Sequence, residues 1–421
     1  MKAEIISVGS ELTSGQNLDT NSQWLSQRLA EIGISVGWHT TIADDLVDDV
    51  AAFRVAAQRA ALVLITGGLG PTQDDLTRDA LARLAEVELV FHQPSFDHIQ
   101  QLFAQRHRSM PERNRVQALF PAGAEPIPNA YGTAPGIWMS VGRISNPSHC
   151  IVVAMPGVPS EMKAMFDEQV RERLLSLNPA GGVLTQRKIN CFGAGESAIE
   201  QKIMDLTRRG HSPEVGITAS DATISLRILA RAANLLEAQL QMLPVEMTIR
   251  ERLGSLVFGE EEEELQDAVI GLLQERRQTV ATAESVTAGL VAHRLGQVPG
   301  ASACLLGGIV AYDTRIKTEL LGVPQSLIQE HGVISAAVVE AMAVGCRSRF
   351  GADFALSTVG LAGPGGGTPE KPVGLVYAGL AWDAGVASRS YNWLGTRAEI
   401  QSRTAKLALN SLRLHLLQMP E

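Results

Sequence analysis

Three residues in the C-terminal part of the chain have types and positions that suit hydrolytic chemistry. The strand-like run 279–283 leads through Glu284 into Ser285, and Tyr312 and Lys317 follow together further along the chain. Serine is a weak nucleophile until a neighbouring base takes its proton. A lysine whose pKa is lowered by burial can be that base, and Tyr312 could relay or donate a proton. These residues together predict a serine hydrolase that does not use a histidine base.

Purely structural roles for the same residues also have to be considered. A serine between a strand and a helix is usually a helix N-cap. Lys317 falls on a predicted amphipathic helix over 314–321, where a lysine is usually a solvated charge. His293 is no better base, because it falls on a helix face that is predicted to be solvated. Spacing alone therefore leaves both the structural and the catalytic interpretation open.

The N-terminal part of the chain is predicted to be a doubly wound α/β domain. Apolar strands are expected at 3–8, 34–40, 61–66 and 150–154, and helices at 19–32 (with Thr20 as N-cap) and 45–59. This alternation predicts parallel strands joined by right-handed crossovers. In such sheets ligands bind beyond the carboxyl ends of the strands, so the loops that follow the strands should share one crevice.

These loops contain the residue types of a phosphate and metal site. Glycines such as Gly68 and Gly70, followed by Thr72, let backbone N–H groups approach a phosphate. Carboxylates beside a phosphate usually indicate a hard divalent cation. The acidic candidates in these loops are Glu11, Asp44, Asp74, Asp75 and Glu161. Several of them also stand where helix N-caps belong, so a capping role is the competing interpretation.

The middle of the chain predicts a small α+β module over 182–258. A strand, a helix and a hairpin around 219–221 are followed by a helical stretch that is expected to break at Pro244. We expect this module to be a spacer between the outer domains. The acidic run 260–264 is expected to be a solvated helix start that opens the last domain.

Composition limits the class of protein. A chain of 421 residues exceeds one usual core, so we expect domains at 1–175, 182–258 and 260–421. The formal net charge of -9 argues against direct nucleic-acid binding. Apolar runs are too short for a membrane span, and the N-terminus has no signal-peptide layout. The scattered cysteines form no CxxC pair, which argues against a zinc site or a disulfide framework. We therefore expect a cytoplasmic protein that does not bind a membrane.

Sequence blocks along nearly the whole chain resemble the CinA family. Five blocks resemble, in the family's order, its N-terminal molybdopterin-binding-like domain: 6–15, 67–77, 114–119, 132–136 and 155–162. Further blocks resemble its C-terminal domain, that of the nicotinamide mononucleotide (NMN) deamidases: 283–285, 307–317, 360–368 and 370–374. The resemblance implies an α/β fold for both outer domains and a homodimer.

The resemblance implies two activities. In the C-terminal domain Ser285 would be the nucleophile, paired with Lys317 and assisted by Tyr312, in the deamidation of NMN without any cofactor. Substrate contacts are expected at Thr287, Gly363, Gly365 and Gly366. In the N-terminal domain the resemblance implies hydrolysis of ADP-ribose that depends on Mg, Mn or Co. We expect Glu11, Asp74, Asp75 and Glu161 to hold this metal, and Gly68, Gly70 and Thr72 to contact the substrate.

Two positions depart from the family pattern. Members often have Thr or Ser just before the residue equivalent to Gly360, whereas here Val359 stands there and Thr358 lies one residue earlier. A shift by one residue along a strand turns the hydroxyl to the opposite face. Val286 stands where Cys is common. These departures leave open the alternative of a binding protein for a molybdopterin or a nucleotide without catalysis. A link to competence or DNA damage, as the family's name indicates, is a further alternative.

Overall fold

The computed structural model describes residues 1–143, 149–178 and 182–419. The chain divides into two compact units. The first comprises Met1–Thr185 and Ala230–Gln241, and the second comprises Gln186–Leu229 and Met242–Glu421. No helix among the described residues is both long enough and apolar enough to cross a membrane.

The first unit contains a six-stranded sheet and a separate two-stranded sheet, which is formed by β4 and β5. The strands of this unit are β1 (Lys2–Val8), β2 (Ser35–Ile42), β3 (Leu62–Thr66), β4 (Leu89–Phe91), β5 (Leu119–Pro121), β6 (Glu125–Ile127), β7 (Gly136–Val141) and β8 (Cys150–Met155). Its helices are α1 (Ser10–Thr13), α2 (Thr20–Glu31), α3 (Leu46–Arg59), α4 (Thr77–Ala85), α5 (Gln93–Gln105), α6 (Pro159–Met165) and α7 (Arg171–Leu177). The strand order is β2-β1-β3-β8-β7-β6, and the first four strands run parallel.

The sequence explains why these strands lie at the centre of the unit. Every residue of β3 is buried, as is β1 after its first residue, because an apolar run can be covered by helices on both faces. The predicted α/β class and the doubly wound order are thus confirmed. The expected N-cap at Thr20 is wrong, since Asp19 accepts the hydrogen bond from the Ser22 N–H at 2.9 Å.

The small middle module belongs mostly to the second unit, except for its residues 183–185 and 230–241, which belong to the first. Its elements are β9 (Val183–Cys191), α8 (Glu196–Ile203), β10 (Glu214–Ser220), β11 (Thr223–Ala232), α9 (Leu235–Leu253) and β12 (Val257–Glu260). The strands form one sheet in the order β10-β11-β9-β12. The predicted hairpin is present as β10 and β11, and its tip contains Asp221 and Ala222 in left-handed conformation.

Two expectations for this region are wrong. The helix does not break at Pro244 but runs through it, and Val245 and Ile249 are buried beyond the proline. Burial of such residues outweighs the loss of one backbone hydrogen bond. The acidic run is not a solvated helix start either. Glu260 ends a strand and accepts from Arg187 at 2.8 Å, and helix α10 starts only after Glu264, its N-cap.

The remaining part of the second unit is a five-stranded sheet with helices. Its helices are α10 (Leu265–Arg276), α11 (Leu290–Gly296), α12 (Thr314–Leu321), α13 (Gln325–His331), α14 (Ala336–Phe350) and α15 (Arg397–Gln418). Its strands are β13 (Val280–Glu284), β14 (Leu305–Val310), β15 (Phe354–Gly360), β16 (Leu375–Trp382) and β17 (Gly385–Asn392). The order is β14-β13-β15-β16-β17, with β13 parallel to both of its neighbours. Glu284 therefore ends level with Val310 and Thr358, and the loops after three strands meet at one edge.

Candidate active sites

A cavity of about 270 Å³ lies at this edge of the C-terminal sheet. It is lined by Ser285, Val286, Tyr312, Lys317, Val333, Ile334, Val359, Gly360, Leu361, Ala362, Gly363, Gly365 and Arg397. The structure thus brings together Ser285, Lys317 and Tyr312 with two of the predicted glycines. Thr287 and Gly366 are not among the residues that line the cavity.

Ser285 is not a helix cap. It directly follows β13, and its N–H donates to the Thr358 carbonyl at 3.0 Å. Helix α11 begins only at Leu290, and its N-cap is Gly289 with a φ of 100°. Ser285 is only half-buried, and its hydroxyl has no hydrogen-bond partner within the described chain. The nucleophile candidate is therefore held by its backbone while its side chain is free to face the cavity.

Glu284 takes over the capping of helix α11. Its buried carboxylate accepts the backbone N–H groups of Gly289, Val291 and Ala292 at 3.0, 2.9 and 2.8 Å, and the Thr287 hydroxyl at 2.6 Å. Glu284 thereby satisfies most of the backbone N–H groups that the first turn of α11 leaves without a partner inside the helix. This helix N-terminus is therefore not free to stabilise an anion at Ser285, because the Glu284 carboxylate already accepts its N–H groups.

Thr287 and Thr358 lie below the cavity rather than in it. The Thr287 hydroxyl is 2.7 Å from that of Thr358, and both residues are buried. The Thr358 side chain thus points to the buried Glu284 network, whereas the next residue, Val359, lines the cavity. The predicted face reversal at this strand position is confirmed. Thr287 is placed as a structural hydroxyl and not as a substrate contact.

Lys317 has the surroundings that a lysine base needs. The residue is fully buried, although the sequence left open that it is a solvated charge. Its Nζ donates to the Ala311 carbonyl at 2.6 Å and the Tyr312 carbonyl at 3.2 Å. Desolvation lowers the Lys317 pKa, and the charge of Asp313 opposes this shift. In a neutral amine these two contacts use both N–H bonds, so the lone pair stays available to accept a proton.

Arg397 is a site residue that our sequence analysis missed. It is the first residue of α15 and donates to the Tyr312 hydroxyl at 2.5 Å and to the Gly363 carbonyl at 2.8 Å. It therefore brings a cation to the mouth of the cavity and joins Tyr312 to the glycine-rich loop. The capping box of Thr396 and Glu399 marks this helix start and is visible in the sequence. Only the fold, however, places that helix start beside Tyr312.

The outer wall of the cavity is apolar and is tied down by a second cation. Val333 and Ile334 lie in the segment after α13. The Lys371 Nζ donates to the His331 carbonyl at 3.1 Å and the Ile334 carbonyl at 2.9 Å. Lys371 thereby connects this wall to the glycine-rich block. The cavity combines a nucleophile, a buried amine and an arginine with walls that suit a flat apolar ring.

The first unit contains a larger crevice of about 460 Å³ at the carboxyl ends of its strands. Its lining includes every candidate residue of the N-terminal domain: Gly68, Gly70, Thr72, Glu11, Asp44, Asp74, Asp75 and Glu161. The expectation that loops after different strands share one crevice is thus met. Gln117 also lines it and donates to the Leu69 carbonyl at 3.4 Å.

Asp75 and Asp74 behave differently within the glycine-rich loop. Asp75 accepts the N–H groups of Gly70 and Thr72 at 2.6 and 2.8 Å, and the Thr72 hydroxyl at 2.5 Å. Its oxygens therefore hold the loop in shape. Asp74 is exposed, and its hydrogen bond from Thr72 lowers its pKa. Asp74 is thus ionised and accessible, as a metal ligand has to be.

A buried arginine supports this loop from below. Arg78 donates to the carbonyls of Leu69 and Gly70, the latter at 3.2 Å. Burial lowers its pKa to about 10. Our sequence analysis missed Arg78 because a helix-start arginine has no distinctive pattern. Its charge lies under a loop that contains two aspartates.

The other carboxylates border the crevice from separate loops. Asp44 accepts the Ser10 N–H and hydroxyl, both at 2.8 Å. Glu161 accepts from the Asn129 amide at 2.8 Å, and its carboxylate lies directly against Gly132. The Glu11 side chain is exposed and folds back over Gly9. A Cβ at either of these glycines would meet the carboxylate, and the glutamate side chain would have to move.

The donor set fits a cation that shares its ligands with a substrate. Among the described residues no three His, Cys, Asp or Glu side chains are close enough to form a complete metal site. Mg²⁺ usually keeps several waters and takes one or two carboxylates together with substrate phosphates. Glu11, Asp74 and Glu161 suit this mode, since their oxygens are not all used by the protein. Asp75 suits it less, because its carboxylate organises the loop.

The chain contains a doubly wound domain with a glycine-rich crevice and an α/β domain whose cavity holds a serine and a lysine. It is a multidomain α/β protein, and its N-terminal domain is of the molybdopterin-binding-like type. Three family models match the chain: "Probable molybdopterin binding domain" over residues 4–176, "Damage-inducible protein CinA KH domain" over 186–259 and "CinA C-terminal domain" over 262–416. The chain belongs to the CinA family.

Full-length relatives agree with this assignment. A "CinA-like protein" of Dictyoglomus thermophilum is 41% identical over 419 residues, with 100% of both chains covered. A "Putative competence-damage inducible protein" of Caldicellulosiruptor bescii is 40% identical, with 98% of each chain covered. Among solved structures, the competence/damage inducible protein CihA of Agrobacterium tumefaciens is 36% identical. It covers 37% of this chain and 94% of its own, with a TM-score of 0.36.

Proposed function

We propose that the C-terminal domain hydrolyses the carboxamide of NMN to give nicotinic acid mononucleotide and ammonia. The observation that carries this proposal is the fully buried Lys317 in the same cavity as the unpartnered hydroxyl of Ser285. A serine needs a base that is neutral near physiological pH. Desolvation shifts the Lys317 pKa in that direction.

The cavity walls match the parts of this substrate. Val286, Val359 and Ile334 offer contacts for the faces of the flat pyridinium ring. Arg397 stands at the cavity and is exposed, so it can bind the phosphate at the other end of NMN. With the ring and the phosphate bound in this way, the carboxamide would lie near Ser285 and Lys317.

The proposed reaction has two covalent steps. Lys317 accepts the hydroxyl proton while the Ser285 Oγ forms a bond to the carboxamide carbon. The C–N bond then breaks, and the nitrogen leaves as ammonia with the proton held by Lys317. Water, deprotonated by the same amine, hydrolyses the resulting ester, which restores Ser285 and releases the carboxylate.

The oxyanion of this reaction needs a donor other than helix α11. In the described chain the backbone N–H of Val286 donates to no acceptor, and this residue directly follows the nucleophile and lines the cavity. We assign the oxyanion contact to this N–H group. A main-chain donor of this kind would be unaffected by the side chain at position 286.

The Ser285→Ala variant tests the deamidase. We expect ammonia release from NMN to fall by about three orders of magnitude or more, while circular dichroism and the melting temperature stay as in the wild type. His293→Ala is the matched control, because this exposed histidine follows on helix α11 and does not line the cavity. A Ser285→Ala enzyme with the wild-type rate would contradict the assignment.

For the N-terminal domain we propose a metal-dependent hydrolysis of ADP-ribose at its pyrophosphate. The support is a crevice that Glu11, Asp74 and Glu161 line together with Gly68 and Gly70. The cation would polarise a phosphoryl oxygen. The chain's own groups would hold the substrate phosphates through the loop around Gly68 and Gly70.

A second candidate for this crevice is binding without catalysis. It is favoured by the lack of a complete three-carboxylate site among the described residues and by the structural use of Asp75. Assays of AMP formation with Mg²⁺, Mn²⁺ and Co²⁺ distinguish the two. We expect Asp74→Ala and chelation to abolish AMP formation and to leave ammonia release from NMN unchanged. If no cation supports cleavage but the crevice binds ADP-ribose or a pterin, the binding role is correct.

A further inference from the structure

The tip of the middle module's hairpin contacts helix α15, whose first residue, Arg397, lines the C-terminal cavity. Asp221, in a left-handed conformation at this tip, accepts the Ser402 hydroxyl at 2.5 Å. The Lys406 Nζ lies 3.2 Å from its carboxylate and donates to its carbonyl at 3.1 Å. Lys406 also donates to the Thr223 hydroxyl at 2.9 Å. Both partners are on α15, so the hairpin is fixed to this helix through charge and main-chain contacts.

The Asp221 carboxylate is the shared anion of several cations. Arg294 of α11 lies 3.8 Å from it and Arg403 of α15 lies 3.7 Å from it, in addition to Lys406. Arg294 also donates to the Ser402 hydroxyl at 2.7 Å. The side chains of these three cations are at most 19% exposed. Glu399 pairs with Arg403 at 3.0 Å and Glu264 lies 3.8 Å from Lys406, so loss of Asp221 would leave these cations with fewer anions in a poorly solvated space, where like charges repel.

The hairpin also makes an apolar contact beside these charges. Ala222 packs against the core cluster that contains Val286, Ile400 and Ala405. Val286 directly follows the nucleophile candidate, and the other two residues belong to α15. The tip thus touches the same apolar cluster that supports the floor of the cavity.

The contacted turns of α15 also carry the site residues of that helix. Arg397 lines the cavity, and Gln401 donates to the Val286 carbonyl at 2.8 Å. Arg403, which faces Asp221, also pairs with Glu399 of the capping box at 3.0 Å. Asp221 is thus linked through Arg403 and Glu399 to the first turn of α15, the turn to which Arg397 belongs.

We propose that the middle module is a working part of the deamidase site and not a spacer, and that Asp221 is a positioning residue for Arg397. This proposal rests on the proposed function. Asp221 holds the first turns of α15 in the place where Arg397 meets the phosphate of NMN. Because the phosphate does not change during deamidation, loss of this contact weakens binding in the ground state and the transition state alike.

The test is a double-mutant cycle in the full chain, with ammonia release from NMN as the readout. We expect Asp221→Asn to raise KM at least about fivefold and to change kcat by less than about twofold. In an Arg397→Ala background the same substitution should change KM by less than about twofold, because its effect acts through Arg397. An unchanged KM, or the same increase in both backgrounds, overturns the proposal.

Asp205→Asn is the matched control. It removes an exposed ion pair to Arg252 inside the same module, and its KM should equal that of the wild type. Ser402→Ala is the milder second variant if Asp221→Asn does not fold, and it should raise KM in the same direction by a smaller factor. An unchanged KM for a folded Ser402→Ala, when Asp221→Asn cannot be measured, contradicts the role of this contact.

Amide exchange separates this proposal from the deamidase itself. We expect faster exchange of residues 397–403 in Asp221→Asn and no change in Asp205→Asn. If the wild type releases no ammonia, the proposed function fails, yet the exchange measurement still decides whether Asp221 orders α15. Wild-type exchange of this segment in Asp221→Asn overturns the positioning role whatever the substrate is.

Discussion

Replacement of Lys317 is the sharpest perturbation of the proposed chemistry. Its amine is fully buried and donates to the carbonyls of Ala311 and Tyr312, so an ammonium and a neutral amine both fit its surroundings. The guanidinium of an arginine keeps the positive charge at this position but cannot lose a proton near neutral pH. We therefore expect Lys317→Arg to lose as much activity as Lys317→Met.

The size of the loss follows from what the amine does. A positioned general base contributes about 10²- to 10⁴-fold to the rate. Lys317→Met removes this contribution, keeps the length of the side chain and leaves two carbonyls without their donor. We expect kcat for ammonia release to fall by about that factor, with a smaller change in KM.

The pH dependence gives the sign of the effect. Below the Lys317 pKa the amine is protonated and cannot accept the serine proton, so the rate should rise with pH through that pKa. Because desolvation lowers the pKa from 10.5, this ascending limb should lie below 10.5 and should be absent in Lys317→Met. The folded state holds this proton less tightly than the unfolded chain does. Stability should therefore increase with pH between the folded pKa and 10.5, by at most about 1.4 kcal/mol per pH unit.

Initial rates of ammonia release over a pH series, with denaturant unfolding at the same pH values, measure both effects. Lys202→Met is the matched control, because this exposed lysine lies in the middle module away from the cavity lining. A Lys317→Arg enzyme with near-wild-type kcat would refute the base assignment. An ascending limb that persists in Lys317→Met would show that another group titrates.

Two further substitutions test the groups around Ser285. Tyr312→Phe should lower kcat by a smaller factor than Lys317→Arg, because the Tyr312 hydroxyl is exposed and already accepts a hydrogen bond from Arg397. Steady-state kinetics of ammonia release measures this difference. Glu284→Gln should cost about 1–3 kcal/mol of unfolding free energy, since an amide nitrogen then faces N–H donors in a buried place. Urea unfolding measures that loss, and a Glu284→Gln enzyme with wild-type stability would contradict the capping role.

The sheet positions could be predicted because their signal is local. Continuous apolar runs such as 3–8 and 61–66 predict buried parallel strands, and the structure places β1 and β3 there. The convergence of Ser285 with Tyr312 also follows from sequence, because the loops after parallel neighbouring strands share an edge. Domain boundaries at 175, 182 and 258–260 stay a prediction.

Other features depend on tertiary contacts that a sequence does not display. Arg397 enters the site because α15 packs beside the glycine-rich loop, far along the chain from Tyr312. Thr287 is a plausible ligand contact by position, yet it is buried against Thr358 and Glu284. Helix α9 continues through Pro244 because buried residues beyond the proline outweigh one lost hydrogen bond.

The assignment of the base follows from how the charges around Ser285 are used. Glu284, the carboxylate next to the nucleophile, accepts four hydrogen bonds below the cavity. It is therefore not available as the base. Among the described residues that line the cavity, Tyr312, Lys317 and Arg397 have ionisable side chains. A guanidinium is not a base near physiological pH, and the exposed Tyr312 hydroxyl accepts a hydrogen bond from Arg397. Lys317 is the group whose burial lowers its pKa, so the proposed deamidation at this site depends on it.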